Sequence, residues 1–133
     1  SIPSHQVAEG ENWYAFLDIF PRRKGHTLVI PKQSVQRLTQ LNDEIRNSLF
    51  DGVVHVQRIL SKHFGTDDFT VCIHDGPLSG QEIPHVHVHV IPRTPADGGS
   101  TLHAMWPNTP PPTSEPDHEA FALLSSQLQE VNR

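Results

Sequence analysis

Four short segments are rich in aromatic, β-branched or alternating apolar residues, a pattern that predicts β-strands. Within the last two segments, apolar and polar residues alternate along the chain. A short turn between Pro21 and Gly25 joins the first two segments and favours a hairpin. The predicted strands are Trp13–Ile19, Thr27–Ile30, Phe69–His74 and Pro84–Pro92.

Apolar residues at three- and four-residue spacing predict a long helix from Asn42 to His63. Asn42 is a suitable N-cap and Gly65 a suitable left-handed stop. A second helix is expected over about residues 115–131, after an irregular Pro/Gly-rich segment at 94–113. This order of elements predicts an α+β fold, with helices on one face of an antiparallel sheet.

The length and composition narrow the class of protein. The 133 residues are enough for a single domain over 1–133. The net charge of −5 argues against a broad nucleic-acid-binding face, and no apolar run reaches the ~20 residues of a membrane span. The lone cysteine fits a reducing compartment, so the expected location is cytoplasmic, with the nucleus as a further possibility. Ten histidines are unusual and direct attention to where they lie.

Three of these histidines alternate with valines between Pro84 and Ile91. In a strand, His85, His87 and His89 would lie on one face and the valines on the other, toward a core. This arrangement fits three interpretations: an exposed polar face, a zinc or copper site, and a nucleophilic imidazole. The preceding Gly80-Gln81-Glu82 can form a phosphate cradle, which favours the nucleophile.

The alternating segment His85-Val86-His87-Val88-His89-Val90-Ile91 resembles the signature of the histidine triad (HIT) superfamily. The stretches at 15–19, 25–32 and 80–81 agree with that family, so the resemblance covers about residues 1–93. It implies nucleotidyl hydrolase or transferase activity. It also implies a five-stranded antiparallel sheet with two main helices, joined to the sheet of a second subunit in a homodimer.

The resemblance also implies catalytic roles. His87 would form a covalent nucleotidyl intermediate and the backbone carbonyl of His85 would orient its ring. His89 would contact the scissile phosphate and the leaving group, and His26 would join the same network. No cofactor is required. A structural zinc is not expected, because the Cys pair of some relatives is absent and Gln33-Ser34 follows Lys32.

The same resemblance implies a set of nucleotide-binding residues. Asp18 would bind the ribose hydroxyls, Phe16 and Ile19 would lie near the base, and His74 would face the nucleotide. The expected phosphate-binding residues are Gly80, Gln81 and Glu82, with Glu82 serving only through its backbone N–H. Taken as isolated residues, Asp18 also fits a turn, Phe16 and Ile19 fit a core, His74 fits a half-buried strand, and Trp106 fits a lid or a dimer contact.

The expected reaction is hydrolysis of a nucleoside 5′-phosphoramidate, with adenosine preferred on the resemblance alone. A dinucleoside polyphosphate hydrolase is the nearest enzyme alternative, since the basic turn Arg22-Arg23-Lys24 offers charge for a longer phosphate chain. A nucleotide-binding module with little catalysis is the alternative from another class.

Overall fold

The computed structural model describes residues 4–109 and 114–132. Residues 110–113 of the predicted irregular segment lie outside this part. The chain forms two compact units, residues 1–97 and 98–133, so the prediction of one domain over the whole chain stays a prediction. The first unit contains β1 (Gln6–Glu9), β2 (Trp13–Leu17), β3 (Thr27–Pro31), α1 (Asp43–Phe64), β4 (Phe69–Ile73) and β5 (Val88–Pro92).

The five strands form one antiparallel sheet in the order β1-β2-β3-β5-β4. This confirms the predicted α+β class and its five-stranded sheet. Pairing aligns Phe16 with Leu28, Leu28 with His89, and His89 with Cys72. Side chains of directly paired residues lie on the same face of a sheet. These four residues therefore form a row across one face.

The opposite face of the sheet packs against α1. Val86, Val88 and Val90 are at most 1% exposed, as the alternating pattern predicts. The face with the row Phe16, Leu28, His89 and Cys72 is called the open face below. The buried apolar core comprises Trp13, Ala15, Val29, Leu41, Leu49, Val53, Val56, Leu60, Val86, Val88 and Val90.

Local signals set both ends of α1. The Asn42 side chain accepts a hydrogen bond from the N–H of Ile45 at 2.9 Å. Gly65 ends the helix with φ of 70°, a left-handed conformation in which glycine carries no steric penalty. Both caps are the predicted ones. The predicted apolar stripe is also present, although Ile59 at its margin is 37% exposed.

Strand β5 begins at Val88, so the prediction of a strand from Pro84 was wrong at its start. His85 and His87 therefore precede the strand. The register of β3 would place Val86 opposite Pro31, which has no N–H to donate. The Val86 N–H instead donates to the carbonyl of Val35 at 2.8 Å. The alternation survives, because Val86 is buried while the flanking histidines are half-buried.

Two other strands end earlier than predicted, and one strand was missed. β2 ends at Leu17, so Ile19 lies beyond it, and β4 ends just before His74. β1 has too few apolar residues to be predicted from its pattern, and it pairs with β2 through an irregular register.

The second unit contains α2 (His118–Val131). It begins later than the predicted 115, because the Asp117 side chain caps it by accepting a hydrogen bond from the N–H of Ala120 at 3.0 Å. The apolar residues of α2 that recur at helical spacing are exposed, as is Trp106; they are Phe121, Leu124, Leu128 and Val131. Among the described residues, no helix is both long and apolar enough to cross a membrane.

Gly52 lies in the interior of α1 against the buried indole of Trp13. A Cβ on Gly52 would lie 2.7 Å from Trp13 Cγ, well inside contact distance. Replacing Gly by Ala inside a helix normally stabilises it by about 1 kcal/mol. Overpacking costs about 1–3 kcal/mol, so we expect Gly52→Ala to lower the free energy of unfolding in urea. The matched variant Asn47→Ala, at an exposed position of α1, should be neutral or slightly stabilising. A Gly52→Ala protein as stable as wild type would contradict this packing.

Candidate active site

Four histidines from separate segments meet on the open face. The ring of His89 lies 5.1 Å from that of His26, 5.3 Å from His74 and 5.0 Å from His87, measured between centroids. His89 belongs to β5, His26 immediately precedes β3, His74 immediately follows β4, and His87 immediately precedes β5. The sheet order places β5 between β3 and β4, which brings the four rings together.

One ring nitrogen of His87 is engaged by backbone. Its Nδ1 lies 2.9 Å from the carbonyl oxygen of His85. A carbonyl only accepts, so Nδ1 carries the proton and Nε2 keeps its lone pair. The ring of His85 bonds in turn to the carbonyl of Pro31, at 2.8 Å from Nε2. The resemblance implies a contact between these two groups, and with Nδ1 protonated Nε2 keeps a lone pair; the catalytic roles of His85 and His87 stay predictions.

The protonation of His26 and His89 follows from a backbone amide. The N–H of Arg22 donates to Nδ1 of His26 at 3.1 Å, so His26 carries its proton on Nε2. That Nε2 lies 2.9 Å from Nδ1 of His89 and donates to it. His89 then carries its own proton on Nε2. This nitrogen is buried and has no hydrogen-bond partner among the described residues.

Burial and neighbouring imidazoles keep this pair uncharged. Burial first, then His87, His26 and His74, lower the pKa of His89 from 6.5 to about 4, against the opposing effect of Asp18. Burial also lowers the pKa of His26, although the carboxylate of Asp18 opposes it. Both rings are therefore neutral at pH 7, and His89 presents a neutral N–H donor to the site.

Asp18 holds the turn that follows β2. Its Oδ1 accepts a hydrogen bond from the N–H of Phe20 at 2.8 Å, as a turn residue would. Its Oδ2 lies 3.6 Å from Nε2 of His26, on the side of the histidine cluster. The structure thus shows the turn role, and the ribose contact stays a prediction.

The loop before the histidines is held by its own hydrogen bonds. Gln81 is 8% exposed. Its Oε1 accepts from the N–H of Gly76 at 3.2 Å, and its Nε2 donates to the carbonyl of Gln36 at 2.9 Å. The backbone N–H groups of Gly80 and Gln81 donate to the carbonyls of Pro77 and Gly76. A phosphate contact by Gln81 would require some of these bonds to break, whereas the side chain of Glu82 is exposed.

Gly80 is constrained in two ways. Its φ is 102°, which disfavours any residue with a Cβ. A Cβ there would also lie 3.3 Å from Nδ1 of His74. The His74 ring therefore lies close to both Gly80 and His89, and its expected position facing the nucleotide stays a prediction.

The two residues expected near the base, Phe16 and Ile19, differ in burial. Phe16 is half-buried on the open face, with its ring 5.7 Å from that of Tyr14. Ile19 is 51% exposed, so it is not a core residue. Phe20, the next residue along the chain, is 77% exposed. The sequence reasoning missed the Arg22 amide, because a backbone group leaves no signal in the pattern of side chains.

Asp18, His26 and His89 each offer one potential metal-ligand atom, all within 4.8 Å of one another. The Arg22 amide argues against a metal ion here. Because it donates to Nδ1 of His26, it keeps the proton on Nε2, the nitrogen that would have to coordinate the ion. The geometry favours a hydrogen-bonded pair over a metal centre.

The lowered pKa of His89 predicts how stability changes with pH. Below pH 6.5 the unfolded chain protonates this residue, while the folded protein does so only near pH 4. The free energy of unfolding should therefore fall between those values, by at most about 3 kcal/mol from His89. Urea unfolding of wild type and His89→Gln at pH 7 and pH 5 measures this, and the loss should be smaller in the variant. His118→Gln, at an exposed position, should behave as wild type. An equal loss in all three proteins would contradict the assignment.

Comparison with known proteins bears on this site. The HIT domain family matches residues 1–96. A protein of Streptococcus mutans of known crystal structure has a TM-score of 0.83 and 31% identity to this chain. The match covers 99% of this chain and 79% of that one.

Two curated relatives have named activities. The adenosine 5′-monophosphoramidase of Saccharomyces cerevisiae is 35% identical over 127 residues, 96% of this chain and 73% of that protein. The asymmetrical bis(5′-nucleosyl)-tetraphosphatase of Schizosaccharomyces pombe is 43% identical over 83 residues. That match covers 62% of this chain and 46% of the relative, so it spans less than half of the relative's length. The family match, which includes the histidine cluster and the sheet that positions it, shows that this chain belongs to the HIT family.

Proposed function

We propose that this protein hydrolyses a nucleoside 5′-phosphoramidate, with adenosine as the preferred nucleoside, through a covalent intermediate on His87. The observation that carries the proposal is that a ring nitrogen with a lone pair and a ring nitrogen with an N–H donor lie on adjacent histidines. Nε2 of His87 keeps a lone pair because Nδ1 donates to His85. On the adjacent ring, Nε2 of His89 carries a proton that has no hydrogen-bond partner within the described part of the chain.

The reaction has two displacements at phosphorus. In the first, the P–N nitrogen of the substrate takes a proton from solvent, the lone pair of His87 Nε2 forms a bond to the α-phosphorus, and the bond from phosphorus to the protonated nitrogen breaks, so that its electron pair leaves on a neutral amine. In the second, water attacks phosphorus, the N–P bond breaks, and the nucleoside monophosphate departs. The proton lost by water balances the one gained by the amine, and His87 returns to its starting form.

In this proposal the remaining site residues bind the nucleotide. Asp18 takes the ribose hydroxyls, Phe16 and Ile19 flank the base, and His74 lies beside the phosphate with Gly80, Gln81 and Glu82 at the loop. Their support is position, since Asp18 and His74 both adjoin the His26–His89 pair. No cofactor is required for either displacement.

Two observations support a phosphoramidate. The yeast relative matched over 96% of this chain is named for that activity. In addition, His26 and His89 have lowered pKa values and are neutral at pH 7. Neutral side chains add no positive charge to attract the several negative charges of a polyphosphate chain, which a phosphoramidate does not have.

The alternative substrate, a dinucleoside polyphosphate, is favoured by a different feature. The side chains of Arg22, Arg23 and Lys24 are exposed on the loop between β2 and β3, close in sequence to Asp18. Cationic side chains there would attract a longer phosphate chain. A nucleotide-binding module with little catalysis is the alternative from another class.

The homodimer is part of the same proposal. β4 is an edge strand of the sheet and its Val71 is 41% exposed. Joining of sheets from two copies would satisfy such an edge. Light scattering during size-exclusion chromatography should give twice the chain mass, and a monomer at micromolar concentration would reject this part.

The test of the proposed function is release of AMP from adenosine 5′-phosphoramidate and from diadenosine tetraphosphate, side by side, with a chelator present. Faster turnover of the phosphoramidate supports the main proposal, and faster turnover of the tetraphosphate selects the alternative. Tight nucleotide binding without turnover of either would select the binding module.

A further inference from the structure

A chain of three groups leads from the backbone of the β2–β3 loop to the reacting side of His89. The N–H of Arg22 donates to His26 Nδ1 at 3.1 Å, and His26 Nε2 lies 2.9 Å from His89 Nδ1. A backbone amide can only donate, so it sets the direction of every proton further along the chain.

This direction makes a second proton on His89 unfavourable. A proton on its Nδ1 would point at the N–H of His26. If His26 changed tautomer to receive it, its own Nδ1–H would point at the N–H of Arg22. In either arrangement two N–H donors point at each other, and water cannot satisfy them because His26 is only 3% exposed. Removing this repulsion between donors would require the β2–β3 loop to move.

The other groups around His89 do not change the proton positions that the Arg22 amide sets. The neighbouring histidines are His87, which precedes its own strand, and His74, which follows β4. Cys72 is paired with His89 across β4 and β5, and burial raises the pKa of its thiol, so it stays uncharged. Asp18 alone among these groups is acidic. Its Oδ2 lies 3.6 Å from Nε2 of His26, and its effect does not outweigh burial and the three imidazoles in setting the pKa of His89.

We propose that the Arg22 amide and His26 are positioning groups that keep His89 a neutral hydrogen-bond donor, so that His89 stabilises the leaving group without transferring a proton to it. This role in the reaction rests on the proposed function. The positioning itself is a property of the resting protein and is testable without a substrate.

The proposal defines the class of substrate that reacts well. When the bond from phosphorus to the leaving atom breaks, the electron pair departs with that atom, and His89 supplies only a hydrogen bond. A good leaving group is therefore weakly basic, such as a phosphate or an acidic phenol, or is an amine that already carries its proton. Basic alkoxides and phenolates leave slowly.

The first experiment measures ring nitrogens in the resting wild-type protein. Long-range ¹⁵N–¹H NMR between pH 5.5 and 8 should show that His26 and His89 are each protonated on Nε2 and unprotonated on Nδ1. A proton on Nδ1 of His89, or a doubly protonated His89 in this range, would overturn the proposal whatever the activity of the protein.

The second experiment uses His26→Glu, in which a carboxylate faces His89 as a hydrogen-bond acceptor in place of the N–H donor of His26. The titration midpoint of His89 should rise by at least about one pH unit. Wild type should cleave the 4-nitrophenyl ester of AMP at least about 100-fold faster than the phenyl ester, and this ratio should shrink in the variant. His118→Gln, at an exposed position of α2, should change neither value.

The two experiments separate the possible failures. An unchanged His89 titration in folded His26→Glu would overturn the positioning role. If His26→Glu does not fold, the wild-type spectrum and the wild-type ester ratio still decide, and a ratio near one would overturn the donor-only role. If the NMR spectrum shows the expected tautomers but no substrate is turned over, the proposed function is overturned, and the role of His89 toward the leaving group with it. The positioning of His89 by the Arg22 amide and His26 would still hold.

Discussion

His87→Ala is expected to lower turnover of the preferred nucleotide substrate by roughly 10⁴-fold or more, because the variant lacks the atom that attacks phosphorus. Nucleotide binding should change little, since the hydrogen bond lost with Nδ1 goes to the backbone of His85 and not to a side chain expected to bind the nucleotide. Steady-state AMP release and equilibrium binding of AMP measure the two effects.

His85→Ala is the matched control within the same segment. It removes the imidazole, which bonds to Pro31, and keeps the backbone carbonyl that orients His87. We expect a loss of about tenfold or less, from a small shift of the segment. Losses of the same size in the two variants would contradict the assignment of the nucleophile.

The second large effect is expected for His89. His89→Ala should slow turnover by about 10²–10³-fold, the usual consequence of losing one donor aimed at developing charge. Nucleotidyl transfer to His87 should remain detectable, because the attacking nitrogen is unchanged. Single-turnover kinetics with quenching separates formation of the covalent species from its breakdown.

His89→Gln tests why His89 matters. A glutamine amide places a neutral N–H near the position of the imidazole Nε2, so this variant should retain more activity than His89→Ala. If both variants were equally slow, a neutral donor would be insufficient and the proton on Nε2 would have to be transferred.

The elements that local signals control were predictable from the sequence. Asn42 and Gly65 delimit α1 through contacts within one helical turn, and both were recognised as caps. The alternation of valine with histidine was also sufficient to predict which face is buried, since it depends only on the geometry of an extended chain.

Other features depend on partners that are distant in the sequence. β5 starts late because the residue across the sheet is Pro31, and no pattern within the strand records that fact. Gln81 stabilises its loop through the carbonyl of Gln36, 45 positions away. The protonation of His89 depends on the backbone of Arg22, which any non-proline residue at that position would provide. The histidines were predictable as a set, but the direction of their protons was not.

Peptide mapping by mass spectrometry can detect the proposed covalent bond between His87 Nε2 and the nucleotide phosphorus. Wild type and His89→Ala would be quenched in denaturant at neutral pH during turnover of adenosine 5′-phosphoramidate. We expect one adenylyl group on the peptide that contains residues 85–91, localised to His87 by fragmentation, and none in His87→Ala. An adduct on another residue, or turnover by His87→Ala at the wild-type rate, would contradict the proposed bond.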